Sequence, residues 1–224
     1  MHDKCAGHFK DASAPCGVDG RARWHSIDIM VTMHKCAIAI LTASIAALWI
    51  ISIRLYPTLP ATIPLHFDFA GTPDRFGPPS FGNWFGLPIL GTLIGVFLIA
   101  IMAVVPWLLR VAPGIVNIPR KTQLLALPAD SQRRALAPMT TMMATLATAI
   151  VLMFIYIIHC TARIATGDAS ILALWPIFAL IALILVLAVI GHFATVRRID
   201  SESAAQSAIN AARDSANGNT ARLR

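Results

Sequence analysis

A histidine and two aspartates lie close together in the sequence after the first apolar segment. His66 and Asp68 belong to a stretch that alternates apolar and polar residues from Ile63 to Phe69. Residues two apart lie on one face of a β-strand, so the pattern predicts that these two polar side chains share a face. Asp74 follows a turn and could return towards them. An imidazole beside a carboxylate can hold a metal ion or relay protons.

The pair leaves two interpretations open. In the first, His159 at the outer end of the third helix and Asp168 in the second outer loop converge on it, and a divalent metal is held by His66, Asp68 and His159. This would be a metal-dependent membrane enzyme. In the second, the pair ties down an ordered loop by hydrogen bonds. Standard nucleophile, zinc-protease and nucleotide motifs are missing from the sequence, so we expect no catalytic residues and no cofactor.

The elements that position this loop are membrane-spanning helices. The chain is 57% hydrophobic and only 13% charged, whereas soluble domains average roughly 25% charged residues. The apolar residues fall into four long blocks. We therefore predict an all-α integral membrane protein, a bundle of four transmembrane helices at about 31–53, 84–109, 139–160 and 171–195.

The distribution of basic residues predicts the orientation. Of the 18 Lys and Arg residues, only Arg54, Arg75 and Arg163 lie in the segments that follow the first and third helices. The positive-inside rule then places both termini in the cytoplasm of a bacterial inner-membrane protein. The predicted division is a disordered N-terminal extension at 1–30, a membrane domain at 31–200 with an outer loop at 54–83 and a cytoplasmic loop at 110–138, and a cytoplasmic tail at 201–224.

Three prolines stiffen the outer loop, because Pro57, Pro60 and Pro64 fix φ and remove backbone donors. A rigid, partly extended loop on a plain helical scaffold favours recognition of a ligand. We expect that ligand to be contacted by Tyr56, Pro57, Pro60, Pro64, His66, Phe67, Asp68, Gly71 and Asp74.

The loop resembles a known signature. The string Y-P-x-L-P-x-x-I-P-x-H-F-x-x-x-G-x-P-D, from Tyr56 to Asp74, is similar to that of a bacterial membrane domain of unknown function. That domain forms the N-terminal part of SdpI-type proteins, which give immunity against a secreted peptide toxin, and also occurs in stand-alone proteins. Asn117 to Lys121 and Leu125 to Pro128 resemble the stand-alone members, so that the resemblance covers residues 36–138. It implies toxin immunity or envelope signalling.

One departure concerns a lysine. Members of this family usually carry a Lys soon after the G-x-P-D turn, whereas this chain reads Gly77-Pro78-Pro79-Ser80. The role of that Lys is therefore lost here or supplied by another residue.

The expected partners follow from the same features. The lipid bilayer surrounds the helices, and an extracytoplasmic peptide or small ligand meets the outer loop. Gly91 and Gly95 form a G-x-x-x-G motif, which allows close helix packing either within the chain or in a homodimer. Nucleic acid is not expected, since no basic stripe is interleaved with aromatic residues. A small assembly or scaffold subunit is a third functional hypothesis.

Overall fold

The computed structural model describes residues 20–222, and within them the side chains of residues 32–217. Within this described range, five α-helices, one 3₁₀ turn and a two-stranded sheet follow one another. Their bounds are α1 Gly20–Leu55, the 3₁₀ turn Tyr56–Thr58, β1 Ile63–Phe67, β2 Pro73–Gly77, α2 Phe81–Val111, α3 Lys121–Leu125, α4 Ala129–Ala165 and α5 Trp175–Arg222.

Four of these helices, α1, α2, α4 and α5, are long and apolar enough to cross a membrane. The sequence prediction of an all-α integral membrane protein with four transmembrane helices is confirmed. The strands β1 and β2 form the only sheet in the described part of the chain. We call the end of the bundle that carries them the hairpin end, and the opposite end, with α3, the tail end.

The helices extend beyond the predicted apolar segments. Helix α1 already includes Gly20, the first residue that the structure describes, so residues 20–30 of the predicted extension are helical, while residues 1–19 lie outside the described residues. Helix α4 begins at Ala129 and α5 continues to Arg222. Apolar length predicts only the part of a helix that crosses the bilayer. Beyond it, Ala-rich sequence without Pro carries α5 onward.

Helix α4 is the central element. It packs against α1, α2 and α5. In the most apolar 18-residue segment of α4, 33% of the residues are buried, whereas the corresponding value is 6% in α5, which lies at the periphery. The main core joins residues of α1, β1, α2 and α4: Leu41, Leu48, Ile63, Trp84, Phe85, Ala147, Val151, Phe154, Ile158 and Ala162. The hairpin therefore contributes a side chain to the core of the membrane bundle.

The two glycines of the G-x-x-x-G motif face the interior of this bundle. A Cβ at Gly91 would lie 2.9 Å from the ring of Phe154, and one at Gly95 would lie 3.3 Å from Ile45. Both glycines are buried. The motif is predicted to allow close packing either within the chain or in a homodimer, and in the structure both glycines pack against side chains of the same chain.

A second core closes the tail end. It is formed by Val105, Leu109, Val116, Ile118, Leu124, Leu127, Ala135, Leu136 and Ile199. Beside it, the guanidinium of Arg134 donates from Nε and Nη2 to the carboxylate of Glu202 at 2.9–3.3 Å, and Arg198 Nη2 lies 3.4 Å from the same carboxylate. The Arg134–Glu202 pair holds the extension of α5 against the start of α4, whereas the Arg198–Glu202 pair lies within α5.

Candidate functional site

The hairpin of residues 63–77 is shaped by proline and by one aspartate. The 3₁₀ turn contains Pro57 in its first positions, and Leu59 after it is extended, so the chain leaves α1 and enters β1 without continuing the helix. Between the strands, Asp68 Oδ1 accepts hydrogen bonds from the backbone N–H groups of Ala70 and Thr72, both at 2.8 Å. This is an aspartate-capped turn of the kind expected in tight loops.

The two strands pair antiparallel with an irregular register. Ile63 is opposite Gly77 and His66 is opposite Arg75, with shifts on either side of His66. Ile63 and Pro64 are buried, whereas His66 is exposed. The predicted alternation fails at Pro64, which is buried beside Ile63 although the pattern places it on the polar face. It also fails at Phe69, which is fully exposed because β1 ends at Phe67 and the chain turns there.

His66 pairs with Asp74. Its Nδ1 lies 2.6 Å from Asp74 Oδ1, with both side chains about half exposed. Asp74 thus returns towards the histidine across the hairpin. The carboxylate of Asp68 instead accepts hydrogen bonds within the turn that follows β1, so His66 and Asp68 have separate roles.

The turn of the hairpin is fastened to the connection between α4 and α5. Leu172 N donates to Gly71 O at 2.8 Å, and Gly71 has a φ of +78°. A Cβ at Gly71 would overlap the carbonyl oxygen of buried Leu172. Glycine is required here on two counts, the positive φ and the close approach of the two backbones. The hairpin is consequently a packed cover on this end of the bundle.

Beneath this cover lies a groove, which we call the hairpin groove. Its volume is about 520 Å³. It is lined by Pro64, Leu65, His66, Phe67, Asp68, Arg75, Gly82, Asn83, Trp84, Gly86, Leu87, Leu90, Ile157, Ile158, Thr161, Leu172 and Leu174. The lining is mainly apolar, with His66, Asp68 and Arg75 as its ionisable residues. Among the described residues Arg75 forms no ion pair with a carboxylate.

The nine residues predicted to contact a ligand are divided by this geometry. The groove is lined by Pro64, His66, Phe67 and Asp68, but not by Tyr56, Pro57, Pro60, Gly71 or Asp74. Tyr56 packs its ring against Phe85 at 5.2 Å between centroids, and Gly71 and Asp74 hold the hairpin in place. The ligand-binding assignment itself stays a prediction.

Sequence reasoning missed the groove residues on α2, α4 and the α4–α5 connection. Leu87, Leu90 and Leu174 look like any other leucines of a membrane protein, so no pattern distinguishes them. Arg75 of β2, which also lines the groove, could have been selected from the sequence, because it is one of the few basic residues in the predicted outer segments.

The predicted metal ligands are not brought together. Within residues 32–217, no three His, Cys, Asp or Glu side chains lie close enough to hold a metal ion. His66 is paired with Asp74, Asp68 is bonded to the turn, and His159 is exposed on α4. The structure therefore provides no assembled ligand set of His66, Asp68 and His159, and metal binding stays a prediction.

The fold and the hydropathy of its helices define this chain as a multi-pass integral membrane protein. A family model described as a domain of unknown function, DUF1648, matches residues 43–92, from the middle of α1 through the hairpin into α2. No curated protein and no solved structure matches the chain. The match supports a relation to an uncharacterised membrane-domain family, and it covers the hairpin and one wall of the groove.

Proposed function

We propose that this chain is a non-enzymatic bacterial inner-membrane protein of the SdpI-like type, which binds an extracytoplasmic ligand in the hairpin groove. Its biological role is then toxin immunity or envelope signalling. The observation that carries the proposal is the groove itself, formed where the proline-stiffened hairpin covers the ends of α2 and α4.

The groove has the physical character of a ligand site. Its volume of about 520 Å³ falls within the range of roughly 300–1,000 Å³ that is typical of ligand pockets. Such pockets combine a mainly apolar wall with a few polar groups, and this one has leucine and isoleucine walls with His66, Asp68 and Arg75 as its ionisable groups.

Arg75 suggests the chemistry of the ligand. Its guanidinium has no carboxylate partner among the described residues and can bind a carboxylate through two parallel hydrogen bonds. A ligand that inserts an apolar group between Leu90 and Ile157 and presents a carboxylate to Arg75 fits both features. A peptide with apolar side chains and an acidic group has this chemistry.

The proposed orientation gives such a ligand access from outside the cell. The basic residues cluster in segments on the side opposite to the hairpin, and the positive-inside rule assigns that side to the cytoplasm. The hairpin groove then faces the extracytoplasmic side, at the depth of the lipid headgroups.

Toxin challenge of a sensitive bacterium tests the proposal. Gly86 lines the groove, and a Cβ there meets nothing within 4 Å, so Gly86→Trp fills the groove without a backbone clash. Gly114 is equally open but lies at the tail end, which makes Gly114→Trp the matched control. We expect the parent chain and Gly114→Trp to protect cells against the secreted peptide toxin, and Gly86→Trp to lose protection at equal membrane abundance.

Two other outcomes have definite meanings. Equal protection by Gly86→Trp and the parent would remove the groove from the function. No protection by the parent would remove toxin immunity and leave signalling as the role to be tested. If another membrane protein copurified reproducibly with both the parent chain and Gly86→Trp, the hypothesis that this chain is a scaffold subunit would be favoured instead.

A further inference from the structure

A second groove, which we call the tail-end groove, lies between α1, α4 and α5. Its volume is about 350 Å³, and its lining is nearly all apolar. Met33 of α1, Thr141 and Met142 of α4, and Leu187, Gly191 and Ala194 of α5 form most of its surface. Gly191 gives it its shape, since a Cβ at that position would overlap the side chain of Met142.

Two of the three helices that form this groove, α4 and α5, each carry an arginine closer to the tail end. Arg198 follows Gly191 by two helical turns, and Arg134 precedes Thr141 by two turns, so each lies on the groove face of its own helix. At 1.5 Å per residue, Arg198 is about 10 Å along α5 from Gly191. This is a spacing at which one lipid molecule can contact both the apolar groove and the cation.

The ion-pair cluster of Arg134, Arg198 and Glu202 at this end of the groove has an excess of positive charge. Arg134 and Arg198 share the single carboxylate of Glu202, which leaves the trio with one positive charge in excess. Arg198 Nε is buried, and within the described part of the chain it has no hydrogen-bond partner. A buried donor without an acceptor is costly, and the exposed part of the same side chain, 26% of its surface, can donate to an anionic oxygen.

We propose that the tail-end groove is a binding site for an anionic phospholipid. One acyl chain lies along Met142, Leu187 and Ala194, and the phosphate accepts hydrogen bonds from Arg198, supported by the charge of Arg134. The groove lies on a face of helices that cross the membrane, where phospholipid is the most concentrated apolar molecule. The excess positive charge selects an anionic headgroup over a zwitterionic one. This inference does not depend on the proposed function of the hairpin groove.

Lipid binding to the purified full chain tests this site. The chain in detergent is titrated with phosphatidylglycerol or with phosphatidylcholine of the same acyl chains, and bound lipid is counted by native mass spectrometry. We expect the parent to bind phosphatidylglycerol roughly tenfold more tightly, as one charge-assisted hydrogen bond would provide. Arg198→Gln should lose this preference. Arg197→Gln is the matched control, because the neighbouring arginine is exposed and points about 100° away around the helix.

A second variant tests the groove independently of the charge. Ala194→Leu adds volume inside the groove and should weaken binding of both lipids without changing the preference between them. Equal losses in Arg198→Gln and Arg197→Gln would overturn the proposal in favour of general surface charge. Binding of glycerol phosphate as tight as that of phosphatidylglycerol would overturn it in favour of a site for free anions. Melting temperatures without lipid identify any variant that is merely unfolded.

Discussion

Gly71 O accepts a hydrogen bond of 2.8 Å from Leu172 N, and this contact fixes the hairpin to a segment that is distant in sequence. It lies where β1 and β2 turn and where α4 has already returned to the same end of the bundle. The contact helps to hold the hairpin over the groove, which Leu172 itself lines.

Substitution of Gly71 should therefore release the hairpin. Gly71→Ala adds a Cβ at a φ of +78°, which costs about 1 kcal/mol, and that Cβ also overlaps Leu172 O. Gly167→Ala is the control, because Gly167 has a φ of +82° but open space around it. We expect faster hydrogen exchange of the amides of residues 63–77 in Gly71→Ala only. If exchange of these amides became faster by the same amount in both variants, backbone strain and not the contact with Leu172 would be the cause.

Substitution of Asp68 should destabilise the hairpin more than substitution of His66. Asp68→Ala leaves the N–H groups of Ala70 and Thr72 without their acceptor and should destabilise the hairpin by about 1 kcal/mol. Asp68→Asn keeps a carbonyl acceptor and should restore most of that loss. His66→Ala breaks an exposed pair with Asp74 and should change the stability by well under about 1 kcal/mol. Hydrogen exchange of the hairpin measures all three, and a His66→Ala effect as large as that of Asp68→Ala would contradict this assignment.

The carboxylates of α5 provide a second matched comparison. Glu202 is 12% exposed and pairs with two arginines, so Glu202→Gln should loosen the α5 extension by about 1–3 kcal/mol. Asp200 is 42% exposed and pairs with Arg120, so Asp200→Asn should cost less than about 1 kcal/mol. Protease resistance of residues 196–217 in detergent reports the difference. Equal resistance of the two variants would show that the ion pairs do not hold this segment.

Cysteine labelling can check the orientation. In a cysteine-free background, Phe69→Cys lies at a fully exposed position between the two strands of the hairpin, and Ile115→Cys lies on the exposed connection at the tail end. A membrane-impermeant maleimide should label Phe69→Cys in cells with an opened outer envelope and an intact inner membrane, and Ile115→Cys only after the inner membrane is lysed. The reverse pattern would place the hairpin groove in the cytoplasm and refute the extracytoplasmic ligand.

The membrane architecture could be predicted because it follows from composition. Four apolar blocks long enough to cross a bilayer admit few arrangements other than four helices. The ends of those helices could not be predicted in the same way. Helix α4 extends back to Ala129, and its Ala135 and Leu136 pack into the second core, which is a tertiary contact that hydropathy does not encode.

The candidate site was predictable only where it is local. The prolines and the His66–Asp74 proximity follow from residues within one loop. The docking of Gly71 on Leu172 and the contribution of Ile157 to the groove depend on how α4 packs. A single sequence contains no local pattern for such contacts, so the wall of the groove opposite the hairpin could not be found from it.

Occupancy of the hairpin groove in living cells is the most direct test of the central claim. A photoreactive phenylalanine analogue is placed at Leu90, which lines the groove, or at Leu93, which is exposed on the same helix outside it. After illumination, the mass of the purified protein is measured. We predict an adduct of defined mass at position 90 that is absent at 93 and lost in Arg75→Ala. Identical adducts at both positions, unaffected by Arg75→Ala, would mean that only bulk lipid is present there and would contradict the account.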